Sequence, residues 1–308
     1  MLRNSKFVGN HALNMDSDDN QSSEMLAELL VYALYFSNLG LCIFCIVLAY
    51  LFFSMIPTKL TTLSKEMNHT IGLIFVVLAL IQILIVVRGV MKSINENSIW
   101  EELFTTIINI LFLFISTFDL VSIWSRILTC FYDGNLIKHK IKLLFLFQFV
   151  NLVLATVVMV WASLEHFERS QFEIFNFRFS ASSLIYVTVA ATVWMLNIGC
   201  VITIACLDCI WHRMKRRCQS DLEWGRHRKR VFISSLYFAY NSTFKLYGVI
   251  SLTFYHHEHH YYHTSLAAYF TLAAAITFCC IADVRRALCV LLRLHKTKFG
   301  KKYLMRNQ

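Results

Sequence analysis

Seven runs of predominantly apolar residues, each 17 residues or longer, decide what this chain can fold into. They read as Met25–Phe53, Ile71–Val87, Leu103–Trp124, Leu143–Leu164, Ser183–Trp211, Val231–Tyr255 and Leu266–Ala282. A soluble core is built from shorter amphipathic stripes, and soluble domains carry about 25% charged residues. Here only 16% of the 308 residues are charged and 57% are hydrophobic. In hydrocarbon every backbone N–H and C=O must be satisfied within the segment, which leaves the α-helix as the form for such runs. The expected fold is an all-α integral membrane protein, a seven-helix transmembrane bundle over residues 25–282. A polar tail (1–24) precedes it, and a basic segment (283–308) follows.

Charge orients the bundle. The segment His212–Arg230, HRMKRRCQSDLEWGRHRKR, holds eight Lys and Arg between two apolar runs. Short loops rich in Lys and Arg stay on the cytoplasmic side. Counted over alternate sides, 22 Lys and Arg share the side of this loop, and 6 lie opposite. The N-terminus is therefore expected outside, the C-terminus inside, and the location is the plasma membrane. The sequon Asn20-Gln21-Ser22 makes Asn20 a candidate glycosylation site on the outer side. The net charge of +10 sits between the apolar runs, so it reads as membrane topology and not as a nucleic-acid surface. The lipid bilayer is the partner that the composition itself implies.

Beyond the seventh run, Val284, Ala287, Leu288, Leu291 and Leu292 recur at helical spacing among Arg285, Arg286, Arg293 and Lys296. That pattern predicts a short amphipathic helix for an anionic inner leaflet. The cysteines fall mostly within or at the ends of apolar runs and read as small packing residues.

This layout resembles that of G-protein-coupled receptors: seven spans, an outside N-terminus, a basic third inner loop and an amphipathic helix after the last span. The resemblance covers nearly the whole chain and is one of layout. At the inner end of the third span stands Trp124-Ser125-Arg126 instead of an acidic-Arg-Tyr triplet. Phe278–Asp283 stands where Asn-Pro-x-x-Tyr is expected. The resemblance implies a divergent chemoreceptor that binds a small-molecule ligand and contacts a heterotrimeric G protein. The texture is also similar to that of insect gustatory and odorant receptors, with 26 Phe, a single proline and Asn-x-x-Phe at Asn241–Phe244. That family implies a ligand-gated cation channel with co-receptor subunits and an inside N-terminus. A small multi-pass transporter is the third class left open.

Ionisable and amide residues at membrane depth are costly and mark candidate sites. Lys245, in the middle of the sixth run, is a counter-charge for an acidic ligand or the anchor of a helix contact. Otherwise it snorkels, or is satisfied by Gln82 or Asn197. Lys245, Asn197, Tyr247 and Gln82 form the expected ligand set. Asp119 and Arg126 near the inner end of the third run, with Arg216 and Arg217 in the basic loop, form the expected signalling set. The outer stretch Tyr255–His263, YHHEHHYYH, places His256, His259 and His260 at a His-x-x-His-His spacing. A metal site built that way needs further histidine boxes, and the sequence has none. The stretch reads as a solvated loop, or else as an acid-sensitive or metal-binding lip. No Walker loop, no Gly-x-Ser-x-Gly and no paired carboxylates at matching membrane depth are present, so neither an enzyme nor a cofactor is implied.

Overall fold

The structure is a computed structural model that describes residues 32–33, 35–55, 65–94, 99–131, 140–164, 172–174, 177–179, 181–215, 222–255 and 259–291. Its helices are α1 (Tyr35–Met55), α2 (Lys65–Ile94), α3 (Ile99–Phe131) and α4 (Lys140–Leu164), then α5 (Ala181–Lys215), α6 (Leu222–Tyr255), α7 (His259–Cys279) and α8 (Ala282–Leu291). Within the described residues each apolar run of the sequence falls on one of the first seven helices, the first from Tyr35 onward and the last as far as Cys279. The N-terminal tail and Asn20 lie outside the described residues.

Among the described residues four helices are long and apolar enough to cross a membrane: Tyr35–Met55, Met67–Ser93, Trp100–Phe118 and Leu184–Leu207. A fifth joins them if α7 and α8, bent by 89° at their junction, count as one span. The described residues of α4, Phe145–Trp161, are apolar but fewer than eighteen, within a helix of 25 residues. The middle of α6 carries Tyr237, Tyr240, Asn241, Ser242, Thr243 and Lys245, which lower its apolarity. The outer surface is nonetheless apolar. Phe145, Leu146, Phe149, Val153, Leu154, Val157 and Trp161 of α4 point outward, while its Gln148 is buried. An apolar exterior over polar interior groups suits hydrocarbon, because soluble monomers expose apolar patches of only a few hundred Å².

At the centre stands α3, in contact with α2, α4, α5 and α6. Its carbonyls serve its neighbours: Gln148 on α4 donates to the Phe118 carbonyl at 3.4 Å. One continuous core draws on all eight helices and includes Phe52, Phe75, Phe112, Phe238 and Phe270. A smaller cluster of Ile123, Cys200, Ile204 and Val231 joins α3, α5 and α6 at the opposite end from α7's start. The cysteines described by the structure are free, consistent with packing roles.

Three local features differ from the sequence reading. The basic segment 212–230 is mostly helical: α5 continues to Lys215 and α6 begins at Leu222, because Lys, Arg and Glu are good helix formers outside an apolar run. Between α4 and α5, Phe172–Ile174 pairs antiparallel with Phe177–Phe179, Phe172 opposite Phe179. The alternation in FEIFNFRF carries this hairpin. Finally, the turn at Cys280 and Ile281 ends α7 before Ala282, and α8 lays Val284 and Ala287 against the bundle. The residues expected to face lipid are thus partly spent on the core.

Two glycines allow helices to touch. A Cβ on Gly89 of α2 would enter the ring of Tyr35 on α1, and one on Gly248 of α6 would enter the ring of Tyr269 on α7. Gly248→Ala is expected to cost about 1–3 kcal/mol through overpacking. A lowered melting temperature in detergent, restored by adding Tyr269→Ala, would identify the contact as the cause.

Candidate functional site

Buried polar side chains gather at two levels. The first lies where α2 ends and α3, α5 and α7 begin. Arg88 of α2, only 9% exposed, donates from Nη1 to Thr105 Oγ1 (3.4 Å) and to His263 Nδ1 (3.2 Å). His263 Nε2 meets Asn109 Oδ1 of α3 at 2.7 Å. Tyr186 of α5 places its hydroxyl 2.7 Å from the same oxygen and 3.2 Å from the Asn109 carbonyl.

Chemistry fixes the direction of every proton here. A guanidinium has donors and no acceptor, so His263 Nδ1 must accept. A neutral imidazole with Nδ1 unprotonated carries its hydrogen on Nε2, and Nε2 therefore donates to Asn109. That in turn requires an oxygen on the facing side of the Asn109 amide, and its second lone pair takes the Tyr186 hydroxyl. The network runs Arg88 to His263 to Asn109, with Tyr186 closing it, and links α2, α3, α5 and α7. Phe112 stacks on the imidazole at 6.0 Å and abuts Phe270 and Tyr186, which keeps the ring in place.

The second level lies deeper. Lys245, 3% exposed, donates from Nζ to the Ile115 carbonyl of α3 at 3.2 Å. Gln82 Nε2 donates to Thr271 Oγ1 of α7 at 3.3 Å, and the Cys45 thiol of α1 reaches the same hydroxyl at 3.7 Å. Asn197 turns its amide back to the Val193 carbonyl of its own helix at 3.1 Å. Asn241 stands one turn before Lys245 on the same face of α6 and is fully buried. Neither atom of its amide has a hydrogen-bond partner among the described residues, and the same holds for Gln82 Oε1. On the flank of α6, Trp194 of α5 donates to Thr243 at 3.0 Å.

The expected ligand set is thus divided. Lys245, Gln82 and Asn197 are buried, each bonded to a different helix segment. Tyr247 is 65% exposed on the outer face of the bundle. Two residues along a helix is about 200° of rotation, so Tyr247 does not share the face of Lys245. Of the signalling set, Asp119 and Arg126 lie on the C-terminal half of α3, with their side chains outside the described residues. Arg216 and Arg217 lie wholly outside them, as does His256. His259 and His260 form the first turn of α7, again without described side chains. Among the described residues no group of three or more His, Cys, Asp or Glu is placed to hold a metal.

Reading the sequence missed Arg88, Asn109, Tyr186, His263 and Asn241 as site residues. Asn109 carried the same signal as Asn197, an amide inside an apolar run. Arg88 and His263 were assigned to loops.

No family model, curated protein or solved structure matches the chain.

Proposed function

We propose that the chain is a seven-span chemosensory receptor of the plasma membrane, with its N-terminus outside, its C-terminus inside and coupling to a heterotrimeric G protein. All seven long helices cross the bilayer in this reading. A small polar ligand occupies the interior between α3, α5, α6 and α7, where Asn241 and Lys245 supply the contacts, and Gln82 and Asn197 border them. The basic ends of α5 and α6, with Arg216 and Arg217 between them, and α8 form the cytoplasmic docking surface.

The observation that carries this reading is the Asn241 amide. A fully buried polar group left unsatisfied costs about 1–3 kcal/mol, and beside the ammonium of Lys245, between α3 and α6, a bound polar ligand would supply the missing partner. Support also comes from α3, the helix touched by most of the others, to which α6 is joined through Lys245. Movement of α6 relative to α3 would carry the signal from ligand to inner surface.

Epitope tags at the two ends test the orientation. An N-terminal tag stained on intact cells, with a C-terminal tag stained only after permeabilisation, is the expected result. The reverse pattern would remove the G-protein reading and leave the insect-type channel in its place.

A further inference from the structure

We propose that His263 is a proton-sensing site, and that its protonation uncouples the start of α7 from the end of α2. The inference rests on the hydrogen-bond directions and not on the receptor reading. In the structure His263 works as a neutral imidazole, accepting from Arg88 at Nδ1 and donating to Asn109 from Nε2. Both ring nitrogens are committed. The incoming proton can bind only at Nδ1, the position that faces the guanidinium at 3.2 Å.

Protonation there has two consequences. The acceptor becomes a donor, so an N–H meets an N–H and the bond is lost. A second positive charge also appears beside an arginine that stays charged at any physiological pH. From α3 the ring faces Asn109 and Phe112, and from its own helix Tyr262. Tyr186 of α5 reaches it only through Asn109, and α6 touches this region through Thr253 against Tyr262. Tyr35 of α1 and Glu101 of α3 act electrostatically on Arg88. Glu101 is the carboxylate nearest the network among these groups, and it stands 3.9 Å from Lys92. An imidazolium is therefore better placed by leaving Arg88 than by staying, and α7 moves with it.

The position suits the role. His263 is in the second turn of α7, where it joins that helix to the ends of α2 and α3. Histidine is the side chain whose ordinary titration falls between about pH 5 and about pH 8. The proton acts here as a ligand: it binds one atom and changes which helices are joined.

The full chain, purified in lipid nanodiscs without any other ligand, provides the test. Hydrogen–deuterium exchange over the first three turns of α7 is compared at about pH 7.5 and about pH 5, corrected for the intrinsic pH dependence of exchange. Wild type is expected to exchange at least about tenfold faster in acid at these turns, against little change in the middle of α3. Equal protection at the two pH values overturns the proposal without any variant. His263→Gln keeps an acceptor for Arg88 and a donor for Asn109 but cannot titrate, and its protection should no longer depend on pH. Arg88→Gln keeps the donor and removes the facing charge, so its acid response should be smaller than that of wild type. Variants whose pH profiles superimpose on wild type would refute the assignment to this pair, whatever their overall stability.

Discussion

Asn241→Leu is expected to make the protein more stable and to remove its response to ligand. The substitution replaces a fully buried amide with no hydrogen-bond partner by an apolar side chain of similar size. Relief of an unsatisfied buried polar group is worth about 1–3 kcal/mol, which raises the melting temperature by several degrees. A purely structural asparagine would show only that gain. Asn38 supplies the control, because it is also fully buried on α1 with neither amide atom bonded among the described residues. Asn38→Leu should stabilise to a similar extent and leave signalling intact. The measurements are thermal unfolding in detergent and G-protein activation in cells, using an activating compound from a panel of small polar molecules. If Asn241→Leu signals like wild type at equal surface expression, the ligand does not use this amide, and the interior site between α3 and α6 is lost as a proposal. The opposite signs of the two effects matter: a mutation that abolishes function while raising stability has not acted by unfolding the protein.

How much of this was legible in the sequence depended on what each residue asks of its neighbours. Backbone satisfaction in hydrocarbon is a property of a single run, and the seven runs fall on seven long helices accordingly. Lys245, Gln82 and Asn197 stood out by the same logic, as polar groups inside apolar runs, and all three are buried. Arg88 and His263 failed the test that found them. Bounding the runs by apolarity, at Val87 and at Leu266, placed both in loops, yet α2 continues from Val87 to Ile94, and α7 begins at His259. Helical hydrogen bonding does not stop where apolarity does. A sharper signal was present: His263, Ala267 and Phe270 share one helical face, and all are buried. Tyr247 erred the other way, chosen for depth without regard to the face it occupies. The meeting of Arg88 with His263, across 175 positions of sequence, was not legible at all, since it is set by how α2 and α7 pack around α3.

Lys245→Met is expected to raise basal signalling about tenfold or more while surface expression holds or rises. Two opposed terms decide this. A lysine at the centre of a transmembrane helix costs about 2.5–3.5 kcal/mol on insertion scales, so an apolar replacement eases insertion of α6, the most polar of the long helices by its middle residues. Against that, the ammonium donates a charge-assisted hydrogen bond to the Ile115 carbonyl, joining α6 to the central helix. Bonds of this kind contribute about 1.5–3 kcal/mol, and losing one shifts a two-state equilibrium about tenfold to about hundredfold. Methionine fills nearly the same volume, so little of the effect comes from a cavity. Lys245→Arg retains a donor of similar reach and should lie between the two. The readout is ligand-free G-protein activation per receptor at the cell surface, alongside the response to an acidic ligand. Raised basal activity identifies Lys245 as the tether that holds α6 in its resting position. Unchanged basal activity with a lost acidic response makes it the ligand's counter-charge instead. If Lys245→Met matches wild type in both, the lysine neither restrains α6 nor reads the ligand, and its contact with Ile115 serves only to satisfy a buried charge.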